Sequence, residues 1–286
     1  TIFFQSNQLA QIIREYLYNP IGIFQEQIFT GDLVTGCMVA ALVGTVIFGG
    51  IKRIAKVAST MVPVMVGIYL LAAIIIIGKN IHFVPNIFLL IVQDAFSGTA
   101  VAGGAVGSMI SIGVRRGLFS NEAGTGTETM AHGAAKTKEP VREGLVAMLG
   151  PFIDTIIVCS ITAIVILLSG VYTQDLNGVS MTVSAFEHEL GTLGKIIIMV
   201  AVLTFSLSTM FGYSYYGRKC TSYLLGTKWK IVYNWFYVMM IVLASTISID
   251  IAINFMDSAF ALMVIPTIIS TILLAPKVLS ESKRYF

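Results

Sequence analysis

Stretch after stretch of this chain is long and apolar enough to cross a bilayer, and that repetition limits its fold more than any other feature. A spanning helix needs about 20 mostly apolar residues. Such stretches fall at about 32–50, 57–78, 86–115, 144–170, 195–217, 231–249 and 259–276. Residues 1–18 read as the end of a further helix that began upstream. The expected fold class is all-α: a polytopic membrane helical bundle, with residues 1–286 in one partial transmembrane domain. The composition agrees. The chain is 56% hydrophobic and 12% charged, whereas soluble domains run near 45–50% and 25%.

The few charges set the direction of each crossing, because short cytoplasmic loops collect Lys and Arg. If the 32–50 helix enters from outside, fifteen Lys and Arg fall on one side, among them Lys52, Arg53, Arg115, Arg116, Lys136 and Arg218. Only Arg14, Lys79 and Lys195 fall on the other. This bias puts the C-terminus in the cytoplasm. It also requires 86–115 to cross once, from Lys79 outside to Arg115 inside.

The 86–115 segment is long for one straight span, and its centre reads SGTAVAGGAVGS, residues 97–108. It is expected to be a discontinuous helix: one half over Asn86–Phe96, irregular backbone over Ser97–Gly104, and a second half over Ala105–Arg115. Glycine tolerates non-helical dihedrals, and irregular backbone at membrane depth survives where it lines a cavity. The exposed half-helix ends would bind a carboxylate and a cation. The same glycines also fit a small-residue packing face between helices.

Other residues qualify on their chemistry. Ser208 and Thr209, with the carbonyl of Phe205 a turn earlier, could supply oxygens to a hard cation; hydroxyls in membrane helices also bond back to their own turn. Asp154 is a carboxylate inside an apolar helix, a candidate for coupling or gating, although it lies within two to three turns of Arg142. Asp94 stands just before the break and is a second such candidate. The loop 117–144 carries Ser120, Glu122, Glu128 and His132 but no GxSxG elbow, so no enzymatic role is expected. Ser120-Asn121-Glu122 reads as a helix N-cap. Residues 175–190 are expected to hold a short amphipathic helix at the outer face, started by Ser180 or Thr182. Cys37, Cys159 and Cys220 have no CxxC spacing and the three His are dispersed, so no metal beyond a transported ion and no cofactor is expected. Basic residues scattered in short loops do not suggest nucleic-acid binding.

The run RRGLFSNEAGTGTETMAHGAAKTKEPVREGLVAMLGPFIDTIIVCSITAIVILLSGVY, residues 115–172, strongly resembles the alanine-or-glycine:cation symporters, the sodium:alanine symporter family. FFQSN near the start, VGTVIFGGIKRIAKVA, AVAGGAVG, FSLSTMFGYSYYG and the closing PKVLSESKRYF extend the likeness along the whole chain. The resemblance implies a leucine-transporter-type fold of two inverted five-helix repeats, here lacking its first three core helices, which would be missing N-terminal helices of the same polypeptide. It implies sodium-coupled symport of a small neutral amino acid, alanine or glycine, across the cytoplasmic membrane by alternating access, with proton coupling as the alternative. The substrate would meet Phe96, Gly98, Thr99, Ala100, Ala102, Gly103 and Gly104, and Na+ would meet Ser208, Thr209 and Phe205. The implied partners are the amino acid, Na+ and the lipid bilayer. The chain departs from the family pattern at TGTETM after SNEAG and at Arg218 after SYYG, both on the cytoplasmic side.

Overall fold

A computed structural model of the chain describes residues 1–96, 105–122 and 124–286. The described residues are helical throughout their ordered elements. In chain order these are α1 (Ile2–Ile13), continued by a π-helical stretch Arg14–Tyr18 and a last turn Asn19–Ile21, α2 (Ile28–Ile47), α3 (Gly50–Lys79) and α4 (Val84–Ala95). Then come α5 (Ala105–Asn121), α6 (Thr127–His132) and α7 (Pro140–Ser169), within which Phe152–Cys159 is π-helical. They are followed by α8 (Val179–Leu190), α9 (Thr192–Leu225), α10 (Lys230–Thr246) and α11 (Ile249–Tyr285). Among the described residues, α2, α3, α7, α9 and α11 are long and apolar enough to cross a membrane.

The helices form two compact units, the first made of Thr1–Ile76 and Ser169–Met256. Its core joins Leu9 of α1, Val39, Val43 and Ile47 of α2, Leu207, Met210 and Phe211 of α9, and Tyr237 and Ile241 of α10. The α2–α10 contact is the most extensive, and Gly36 explains its closeness. A Cβ there would stand 2.2 Å from Ser245 Oγ and 3.2 Å from the Val242 Cα. Without a driving force from water, membrane helices associate through such small-residue approaches. Tyr237 crosses the same interior to donate its hydroxyl to the Met210 carbonyl at 2.7 Å.

The second unit is Ile77–Leu168 and Asp257–Phe286. Of its described residues only Thr125, Thr127 and Val165 are buried. Polar contacts and aromatic pairs tie it together. Ser120, at the end of α5, donates to Asp154 on α7 at 2.5 Å, and Asn121 donates to Thr155 at 3.2 Å. Phe119 packs on Phe260 with ring centroids 5.7 Å apart.

Helix ends run past the hydropathy limits. The stretch read as 195–217 lies inside the 34-residue α9, and 259–276 lies inside the 37-residue α11. At 1.5 Å per residue these are about 50 and 55 Å long, against a hydrocarbon core of about 30 Å. Hydropathy marks where lipid stops; the helical ladder continues into water.

Candidate functional site

The segment expected to grip substrate is flanked by two described helices. α4 has twelve residues, and Phe96 leaves the helical region with φ −109° and ψ 13°. α5 starts at Ala105 and runs on to Asn121, beyond the expected Arg115. Gly98, Thr99, Ala100, Ala102, Gly103 and Gly104 lie outside the described residues. Phe96, expected to meet the substrate, is 79% exposed. Asp94, one residue before the end of α4, is also exposed.

On α9 the Ser208 hydroxyl donates to the Phe205 carbonyl at 2.8 Å. This is the back-bond common in membrane helices, and it sets two of the three expected cation oxygens side by side. The hydroxyl oxygen keeps lone pairs for an ion. Thr209 is half-buried beside them. Among the described residues, Ser208 makes no hydrogen bond outside its own helix. Ser206, two residues earlier, points about 200° away around the helix and donates to Gln5 Oε1 of α1 at 3.0 Å, deep in the first unit.

The expectation for Ser120-Asn121-Glu122 needs correction. These residues close α5; they do not cap the start of a helix. Glu122 takes φ 56°, a left-handed conformation uncommon for a residue with a Cβ. Its carbonyl accepts from the Thr125 hydroxyl at 2.7 Å, and its carboxylate accepts from the Thr127 hydroxyl. The pattern of short polar residues suits either end of a helix. Here the hydrogen-bonding side chains stabilise the turn that follows α5. His132 and Glu143 further along the loop meet at 2.7 Å. Asp154 lies in the π-helical part of α7 and is tied to the end of α5 through Ser120. π-Helical turns occur often at functional sites.

The polar face of α1 escaped the reading of the sequence. Gln5, Ser6 and Gln8 are buried. Ser6 donates to the Ile241 carbonyl at 2.8 Å, and Asn7 donates to the Ile247 carbonyl at 2.6 Å, just past the end of α10. Gln8 Oε1 accepts from the Val179 amide at 3.1 Å, so a side chain of α1 caps the start of α8. Gln11 donates to Ser180 at 3.3 Å, and Ser180 donates to Glu15 at 2.5 Å. Ser180 is thus a buried link to α1, while Gly178 holds the N-cap position of α8. Gln8, Gln11 and Glu15 share one face by their spacing of three and four; that spacing, inside a stretch read as the end of a helix, was the available signal. At the same end of the unit, Arg14 pairs with Asp32 at the start of α2.

A family model described as the sodium:alanine symporter family matches residues 1–286. An uncharacterised transporter of Haemophilus influenzae is 42% identical over 260 residues, covering 89% of this chain and 57% of that protein. The sodium/alanine symporter AgcS of Methanococcus maripaludis is 39% identical over 257 residues, covering 88% and 56%. The probable sodium/glutamine symporter GlnT of Bacillus subtilis is 36% identical over 270 residues, covering 93% and 56%. The chain spans a little over half the length of these relatives.

Proposed function

The chain belongs to the sodium:alanine symporter family, and from that premise we propose that the whole protein carries a small neutral amino acid, alanine or glycine, into the cell together with Na+. The observation that carries this reading is the family match along residues 1–286, alongside helices apolar enough to span the plasma membrane. The substrate carboxylate and ammonium would meet peptide dipoles at Gly98–Gly104, between α4 and α5, in a leucine-transporter-type fold. α4, about 18 Å long, covers roughly half the hydrocarbon thickness, which suits a binding segment near mid-depth. Na+ would take the Phe205 carbonyl with the Ser208 and Thr209 hydroxyls, hard oxygens for a hard cation. Asp94 and Asp154 would act in coupling or gating, Asp154 through its bond to Ser120. The small residues at 98–104 favour a small side chain. The sodium/glutamine relative is the reason to test a larger substrate beside alanine.

Equilibrium binding of labelled alanine to the purified whole protein tests the pairing of substrate and ion. Affinity is expected to rise at least tenfold when Na+ replaces a large organic cation, with unlabelled glycine competing and unlabelled leucine not. Affinity indifferent to Na+, or glutamine displacing alanine as well as glycine does, would reject this reading.

A further inference from the structure

The first unit gathers an unbalanced block of positive charge at one end of its helices. Lys52, Arg53 and Lys56 stand in the first two turns of α3, Arg218 and Lys219 near the end of α9, and Lys228 and Lys230 at the start of α10. No Asp or Glu occurs between residues 33 and 93, or between 190 and 249. Three of the unit's seven acids flank α9 and α10 at their other ends, Glu187 and Glu189 before α9 and Asp250 after α10; the rest are Glu15, Glu26, Asp32 in the second turn of α2, and Asp175. Among the described residues none of the seven cations forms an ion pair.

Contacts bring the start of α3 beside the end of α9 and beside α10. The Arg218 guanidinium comes within 3.9 Å of where a side chain on Gly50 would begin. Arg53 reaches back to donate to the Thr45 carbonyl at 2.8 Å, near the end of α2. Phe48, in the turn between α2 and α3, packs on Trp235 of α10 with ring centroids 5.0 Å apart. Two of the cations also stand in the first turn of a 30-residue helix, where the helix dipole already favours negative charge. Among the described residues no carboxylate pairs with either of them. Around them Tyr223, Trp229 and Trp235 are 90%, 49% and 63% exposed, and aromatic side chains of this kind settle at the headgroup level of a bilayer.

We infer that this surface binds the headgroups of anionic phospholipids in the leaflet it faces. The phosphodiester would lie where the start of α3 meets Arg218 and Lys219, with Trp229 and Trp235 in the adjoining interface. Clusters of four to eight Lys and Arg at the end of spanning helices attract acidic lipids, at about 1 kcal/mol for each charge. The inference rests on reading the chain as a membrane transporter but not on what it transports.

The test is native mass spectrometry of the whole protein released from nanodiscs that hold phosphatidylglycerol and phosphatidylcholine in equal amounts. Phosphatidylglycerol is expected to be retained in large excess, and less so as ionic strength rises. The triple variant Lys52→Gln, Lys56→Gln and Lys219→Gln changes exposed side chains only and should lose about five-fold retention per charge. The matching Lys→Arg triple should keep it, which separates charge from misfolding. Equal retention of the two lipids, or undiminished phosphatidylglycerol on the Gln triple, overturns the inference. Displacement by inorganic phosphate at the lipid's own concentration also overturns it, since the site would then be one for free phosphate. Lipid retention is scored without substrate, so its failure is separable from failure of sodium-linked alanine binding.

Discussion

Gly36 leaves no room for a side chain, because α10 lies against its backbone. In Gly36→Ala the new methyl would stand 2.2 Å from Ser245 Oγ and 3.2 Å from a backbone carbon that cannot turn aside. Overpacking of this kind costs about 1–3 kcal/mol, so the variant should unfold at a lower temperature in detergent. Ser245→Gly in the same chain should restore part of the loss, since it removes the nearer of the two obstacles. Ser208→Ala acts differently. It removes a hydroxyl that bonds only to its own turn, so folding should be little affected. Under the proposed sodium site, the Na+ concentration for half-maximal alanine binding should rise about tenfold, the equivalent of about 1.4 kcal/mol. An unchanged sodium dependence would remove Ser208 from the site. Ser208 stood out in the sequence by its position in TFSLST, whereas Gly36 did not. What each touches is a fact about a neighbouring helix, or the lack of one, that spacing along the chain does not carry.

At the scale of elements, α1 organises the first unit through side chains. Gln8 supplies the acceptor that the first turn of α8 lacks, so Gln8→Ala should leave the Val179 amide without its partner. A buried donor left unpaired costs about 1–3 kcal/mol. The expected readout is faster amide exchange confined to residues 179–182, with α9 and α10 unchanged. Exchange rising equally in α10 would show that Gln8 supports the whole unit instead. Five of the seven apolar runs fall in helices long and apolar enough to cross a membrane, legible because lipid demands long apolar runs. Their ends were not, since α9 carries Arg218 and Lys219 beyond the apolar limit without breaking its ladder. Ser120-Asn121-Glu122 was misread because hydrogen-bonding side chains serve both the start of a helix and the turn after one. The choice depended on Asp154 and Thr155, more than thirty residues away. The polar face of α1 was hidden for a related reason. Gln5, Ser6, Asn7, Gln8 and Gln11 show no buried role until the partners on α8, α9 and α10 are known.

At the scale of the molecule, two units of unlike character make up the chain. The first is a packed bundle with a buried polar seam along α1; among the second's described residues only Thr125, Thr127 and Val165 are buried, as suits a body immersed in lipid. Gly98–Gly104, proposed to meet the substrate, lies outside the described residues, so its role is decided by function. The most direct measurement is uptake of labelled alanine by the whole protein in proteoliposomes, with sodium and pH gradients imposed separately. Inward sodium should drive accumulation above equilibrium, and a pH gradient alone should not. Accumulation that follows the pH gradient and ignores sodium, or none under either, would contradict the account.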